Sequence, residues 1–163
     1  MYYSQFQQDK FSNENFFKNK NSGFFVDIGA HDGITFSNSK FFEELGWDGI
    51  CIEPNPEVFR ILNNNRKCSC IQKAISNKKE KSTFFQFLAP DGDMLSGLAD
   101  KYSQNSILNI NKSLTDHPNS FNYIEVECDL FENIVEKTNI DFLSLDTEGN
   151  ELEILETINF NKY

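Results

Sequence analysis

The chain has 163 residues, 39% of them hydrophobic and 14% aromatic with 17 phenylalanines, which is enough apolar material for one folded domain and excludes a disordered chain. Its 25 acidic residues against 15 basic ones give a formal net charge of -10, which argues against nucleic acid or an anionic membrane as partner. No segment approaches the roughly 20 consecutive apolar residues of a membrane span, and residues 1–20 are too polar for a secretory signal, so a cytoplasmic location is expected.

Ser4 and Ser12 are candidate helix N-caps, Gln7 following the first by three positions and Phe16-Phe17 anchoring the second. Asn21-Ser22-Gly23 stops any helix there and launches an apolar strand over 24–28. The spacing of Ile34, Phe41, Phe42 and Leu45 predicts a helix from Ile34 that Gly46 ends. A second strand follows over 49–53. Asn55 as cap, Pro56 at the first helical position and Glu57 near the dipole's positive end then predict a helix buried on Val58, Phe59, Ile61 and Leu62, ended by Asn63-Asn64-Asn65.

A third strand is expected over 70–75, and 84–88 reads as another. The stretch 89–120 is rich in Asp, Ser, Asn and Gly and reads as an irregular lid or insertion, with Asp91-Gly92-Asp93 as a turn. Ile124, Val126 and Cys128 alternate with Glu125, Glu127 and Asp129 as on a half-solvated sheet, and Asp129 with Glu132 makes a capping box. A fourth strand-to-helix crossover strand is expected over 140–145, ending at Asp146-Thr147-Glu148-Gly149, with Asn150 and Glu153 capping a last helix on Leu152, Leu155 and Ile158. The repeated strand, turn and helix order predicts an α/β, Rossmann-like fold: an open, mostly parallel sheet with helices on both faces.

The run 24–28 ends in a glycine turn, Gly29-Ala30-His31-Asp32-Gly33, and the run 49–53 ends in Glu53. In such folds the turn and the carboxylate meet at the carboxyl edge of the sheet, where nucleotides bind and a carboxylate takes ribose hydroxyls. The second and third glycines of the dinucleotide fingerprint G-x-G-x-x-G are absent, and no Lys-Ser/Thr pair completes a phosphate loop. The turn therefore suits a ligand without a bulky pyrophosphate. The four cysteines follow no staple or metal pattern: Cys68-Ser69-Cys70 is a lone CxC, and His31 and His117 are the only histidines. They read as small core hydrophobes in a reducing compartment, and no metal site is expected.

At this point the sequence resembles the FkbM-type S-adenosylmethionine-dependent methyltransferases of the class I superfamily. The resemblance rests on residues 23–33, on Ser37-Asn38-Ser39 with Phe42-Glu43, on Gly46-Trp47-Asp48-Gly49-Ile50-Cys51-Ile52-Glu53-Pro54-Asn55-Pro56, on Ser96-Gly97-Leu98 and on residues 140–155; Ser4-Gln5 and Gln8-Asp9 are similar to the family's lead-in. It implies S-adenosyl-L-methionine as cofactor. By that resemblance Gly29, with Ala30 and Gly33, lets the methionine part lie against the turn, Asp27 organises the loop or a water, Glu53 holds the ribose, and Ala74 to Ser76 flank the adenine. Asp146 corresponds to the family's pocket carboxylate. The acceptor it implies is a hydroxyl of a small molecule or sugar. The expected departure is at the C-terminus, where the pattern is read as truncated after the fourth strand and its following helix, with the C-terminal strands missing.

Methyl transfer from a sulfonium is an in-line displacement, so alignment dominates, and a hydroxyl acceptor gains from a base within reach. Asp146, His31 and Glu148 are the candidates, and Asp146 with Glu148 is also weighed as a magnesium pair. A single domain over 1–163 whose exposed strand 140–146 pairs with a second copy as a homodimer is expected. The competing readings are a non-catalytic cofactor-binding or structural remnant and an NAD-dependent oxidoreductase.

Overall fold

A computed structural model describes residues 1–88, 93–116 and 120–163 of the chain; the expected turn residues Asp91 and Gly92, and His117, lie outside the described residues. The chain divides into two compact units, the first formed by Met1–Lys73, Val135–Leu145 and Asn159–Tyr163, the second by Ala74–Ile134 and Asp146–Ile158. No helix among the described residues is long and apolar enough to cross a membrane.

The first unit is built on a four-stranded parallel sheet of order β3-β2-β1-β8, where β1 is Phe24–Ile28, β2 Asp48–Ile52, β3 Ser69–Ile71 and β8 Phe142–Leu145. Strand alternation places Phe25, Asp27, Cys51, Cys70 and Phe142 on one face. Helices α2 (Lys40–Glu44) and α3 (Pro56–Asn65) cover that face, Phe42 and Leu62 joining Phe25, Cys51 and Trp47 in one cluster. Trp47 sits in this core, 3% exposed, with its indole N–H donating to the Lys20 carbonyl at 2.8 Å. The α3 boundary is as its sequence dictates: the Asn55 side chain accepts the Glu57 amide at 3.1 Å, and Val58 and Leu62 are buried, although Ile61 is exposed.

The preceding helix is shorter than its apolar spacing predicts. Asp32 accepts the amides of Ile34 and Thr35 at 2.8 and 2.7 Å, and this side-chain turn holds Ile34 out of the helix, which starts only at Lys40. At the N-terminus, α1 spans Gln8–Ser12 and a π-helical turn Asn13–Phe17. Neither Ser4 nor Ser12 caps them. Ser4 instead exchanges hydrogen bonds with the fully buried Asp9, whose carboxylate also accepts the Tyr3 amide at 2.6 Å.

The second unit carries a mixed sheet of order β4-β7-β5-β6, with β4 Ala74–Ile75, β5 Glu80–Phe87, β6 Gly97–Leu98 and β7 Phe121–Asp129. Its centre is an eight-pair antiparallel ladder from Glu80↔Cys128 to Phe87↔Phe121. One face of that ladder gathers Phe84, Val126, Cys128, Ala74 and Leu98; the other gathers Phe85, Phe87 and Tyr102 against Ile110 and Leu114. The last two come from α4 (Gln104–Asp116), so the stretch expected to be irregular contains a 13-residue helix. Helices α5 (Phe131–Ile134) and α6 (Glu151–Thr157) complete the unit.

Two expectations are corrected. The run 70–75 is not one strand: the chain turns after Ile71, where the Lys73 amide returns to the Ile71 carbonyl at 3.2 Å, and β3 and β4 belong to different sheets. The sheet is also not one that lacks its C-terminal strands. Both β7 and β8 are formed, β8 pairing with β1 through Leu145↔Ile28, and α6 follows them. The strand expected as the fourth is β8, because β4 to β7 form a second, mixed sheet between β3 and β8 in the chain.

Candidate functional site

In the first unit the site is built where β1 and β2 end. Gly29 leaves β1 with φ 79°, a left-handed conformation that favours glycine, and the amides of Gly29 and Ala30 both donate to the Ile52 carbonyl at 2.9 and 3.1 Å. The glycine turn is therefore fastened to the last residue of β2, and those two N–H groups are engaged. Directly after Ile52, Glu53 is 7% exposed; its Oε2 accepts the His31 amide at 3.1 Å and its Oε1 the Asn55 amide at 2.9 Å. Burial pushes the Glu53 carboxyl up to about 7, against the pull of the Asn55 amide and of His31. An ionised carboxylate has about four lone-pair sites. Two remain to accept from the hydroxyls of a diol, so these acceptors fit a ribose.

His31 has φ 48°, and its Nδ1 lies 3.7 Å from Asp32 Oδ1. Burial opposes ionisation of Asp32, but hydrogen bonds from His31, Thr35 and Ile34 outweigh it and hold the carboxyl well below the usual range.

Beneath the turn lies a polar network that the sequence reading missed. Asp27, 4% exposed, accepts a hydrogen bond from the Ser39 hydroxyl. Arg66 donates to Ser39 Oγ at 3.0 Å, to the Gly33 carbonyl at 3.2 Å and to Ser37 Oγ at 3.3 Å, while its Nε stands 3.3 Å from Glu43 Oε1. The guanidinium also lies 5.2 Å from the Phe25 ring centroid. Asn65 reaches the Asp32 carbonyl at 2.8 Å. Gly33, with φ 78°, packs directly over α3: a Cβ there would stand 2.7 Å from Leu62 Cδ1 and 2.7 Å from Arg66 Cγ. Ser37, Ser39 and Glu43 lie in segments that carry the family resemblance, whereas the signal for Arg66 is that it is one of two arginines in the chain and follows a helix stop.

The remaining expected residues lie in the second unit. Ala74 and Ser76 are buried, the Ser76 amide continuing the β4 pairing to the Asp129 carbonyl at 3.0 Å. The Asn150 side chain donates to the Ile75 carbonyl at 2.8 Å, which ties the 146–150 turn to β4. Asn150 and Glu153 do not cap α6 together. Glu151 takes that part, its carboxylate accepting Thr147 N at 2.7 Å, Thr147 Oγ1 at 3.1 Å and Gly149 N at 3.1 Å, while Glu153 pairs with Lys101 at 2.6 Å. Glu148 has φ 59°, and backbone strain of this kind is concentrated at functional turns. Burial, then the charges of Asp146 and Glu151, push its carboxyl up to about 7. Burial and Glu151 also raise the carboxyl of Asp146.

Replacing Gly149 by alanine is expected to destabilise this turn. Its φ is 122° and a Cβ would stand 2.5 Å from the Lys101 carbonyl oxygen, so a loss of about 1–3 kcal/mol is expected from strain alone. Chemical denaturation checks it, and an unchanged midpoint would show that the turn relaxes freely.

The structure thus brings Asp27, Gly29, Ala30, His31, Gly33 and Glu53 together in one unit, and Ala74, Ser76, Asp146 and Glu148 together in the other. Comparison with curated proteins and with solved structures returned no match. A family model described as the methyltransferase FkbM domain matches residues 27–162, so the pattern does not break off after a fourth strand as expected. The match covers most of the chain, and the chain belongs to the FkbM methyltransferase family.

Proposed function

We propose that this domain transfers a methyl group from S-adenosyl-L-methionine to a hydroxyl of a small molecule or sugar. Family membership supports methyl transfer, and the observation that carries the cofactor assignment is Glu53, a buried carboxylate at the end of β2 anchored to the turn through the His31 amide. When bound, S-adenosylmethionine supplies a methyl group on a positively charged sulfur. Glu53 accepts the ribose hydroxyls with its remaining lone pairs. Gly29, Ala30 and Gly33 keep the turn narrow for the methionine part, and Asp27 holds that turn through Ser39 and Arg66. Either Asp146 or Glu148 takes the acceptor's one proton. A carboxyl near 7 suits Glu148 to general-base work at neutral pH.

Two measurements test this reading. Calorimetry should give a saturable S-adenosylmethionine isotherm and none for NAD; binding of NAD alone would overturn it. In a methyl-release assay across hydroxylated metabolites, Glu148→Gln or Asp146→Asn should lower turnover at least about 100-fold with cofactor affinity unchanged. Turnover unaffected in both would remove these carboxylates from the chemistry.

The same reading includes a cytoplasmic location, in line with four free cysteines. It also includes a homodimer through β8, which pairs within its sheet with β1 alone. Sedimentation over a concentration range checks the dimer: a persistent species near 18.9 kDa would exclude it.

A further inference from the structure

Three of the four cysteines converge on the helix-covered face of the first unit's sheet. Cys51 on β2 and Cys70 on β3 are register partners, and Cys51 Sγ lies 3.6 Å from Cys68 Sγ. Cys70 Sγ lies 3.6 Å from the Cys68 carbonyl. Cys51 is fully buried, as a core filler would be, but Cys68 and Cys70 are only half-buried, and all are free thiols. Two sulfurs in van der Waals contact need move only about 1.5 Å to reach a bonded separation near 2.05 Å. Cys68 lies just outside β3, where the backbone is not held in the ladder. Among the described residues no group of three or more His, Cys, Asp or Glu could hold a metal ion, which leaves redox chemistry as what the cluster can do.

We propose that Cys51, Cys68 and Cys70 form an oxidant-responsive modification site, in which hydrogen peroxide converts two thiols into a disulfide that includes Cys51 and a low-mass thiol reverses it. Cys70 is the point of entry: S–H groups of Cys51 and Cys68, with the Arg66 charge, hold its thiol below the ordinary range. The Cys70 thiolate attacks one peroxide oxygen; an S–O bond forms, the O–O bond breaks, and hydroxide leaves and takes up a proton. The Cys51 sulfur then attacks Cys70; the S–S bond forms, the S–O bond breaks, and the oxygen leaves as water with the Cys51 proton. Two thiols lose two electrons and two protons, and peroxide becomes two waters. Exchange with the adjacent Cys68 moves the bond to the Cys51–Cys68 pair. Cys51 stands two residues before Glu53, and Arg66, which holds the Gly33 carbonyl, two residues before Cys68.

The test needs no cofactor. The full chain is treated with hydrogen peroxide, its free thiols are titrated, and its peptides are mapped by mass spectrometry. The expected result is loss of two thiols as an intramolecular disulfide containing Cys51, restored by dithiothreitol and unchanged in Cys128→Ser. In Cys51→Ser the reaction should stop at a sulfenic acid on Cys70, trapped by dimedone. Because Cys51 is buried, Cys70→Ser provides a second arm, in which disulfide formation should slow at least tenfold. A disulfide lacking Cys51, only intermolecular disulfides, or equal oxidation of Cys70→Ser and wild type would overturn the proposal.

Discussion

Replacing Arg66 by methionine is expected to cost the first unit about 3–5 kcal/mol, the range found when one member of a buried charged network is removed. Methionine keeps much of the aliphatic bulk but leaves buried Asp27 and the half-buried Glu43 without their guanidinium, and it releases the Gly33 carbonyl and the Ser37 and Ser39 hydroxyls. Glu43 sets the acid side of this effect. Burial pushes its carboxyl up, but Lys40, the Cys68 amide, the Arg66 charge and the Lys67 amide outweigh that and hold it at about 2. A folded pKa below the unfolded one adds stability that is present above the unfolded value, about 4.3, and is lost as pH falls toward 2. Without Arg66 the folded pKa moves up toward the unfolded one, so this acid-side loss should be smaller and end at higher pH. Trp47 is the chain's single tryptophan and lies in the same core, so its fluorescence reports unfolding of this unit directly. A midpoint in urea equal to wild type would mean that the network contributes no net stability. The triple variant Asp27→Asn, Glu43→Gln, Arg66→Met should lose less than Arg66→Met alone, because the unpaired charges go with their partner.

The parts of the fold legible in the sequence are those fixed by neighbours along the chain. The apolar runs at β1 and β2, and the Asn55-Pro56-Glu57 start of α3, carry their own strand and cap signals. The parts that were not legible depend on partners far away. Helix α4 packs Ile110 and Leu114 beside Phe85 and Phe87 while its Ile107 and Leu108 are exposed, so its buried face is set by the sheet opposite it rather than by its own apolar pattern. Strands β4 and β6 have two residues each, too few for any alternation, and exist because β7 and β5 offer them an edge. One apolar run, 70–75, was divided between two sheets by a turn of two residues that pattern alone does not reveal.

The candidate site divides the same way. Glu53 was placed at a strand end by the run before it, and the turn by its glycines. That both carboxylate oxygens already accept amides follows from His31, 22 positions away, and from the Asn55 turn. Arg66 carried no motif of its own, since a buried arginine looks like a surface one until the carboxylates around it are in place; Ser37 and Ser39 stood in a segment of the family resemblance, but their bonds to Arg66 and Asp27 did not follow from it. Glu151 was passed over for Asn150 because side-chain capping of a strained turn follows from backbone geometry rather than residue type.

Glu53→Gln should separate what this residue does for stability from what it does for binding. The folded pKa of about 7 lies above the unfolded value of about 4.3. The folded state therefore holds the proton more tightly, and stability falls as pH rises from about 4.3 to about 7, then stays at the lower level. The shift corresponds to at most about 4 kcal/mol at 1.36 kcal/mol per pKa unit. Glutamine does not titrate, so this fall should be missing from the variant. Its amide nitrogen faces one of the two backbone N–H donors, so one hydrogen bond, about 1 kcal/mol, is lost at every pH. The net expectation is a variant more stable than wild type at pH 8 and less stable below pH 4. Glu148, raised in the same direction, acts in both proteins and cancels in the difference. S-adenosylmethionine affinity should meanwhile drop by about 1.5–3 kcal/mol through loss of a charge-assisted bond to the ribose, roughly 10- to 150-fold in Kd. Equal pH dependence of unfolding in the two proteins would show that Glu53 does not titrate in this window. Unchanged cofactor affinity would remove it from the binding site, whatever its effect on stability.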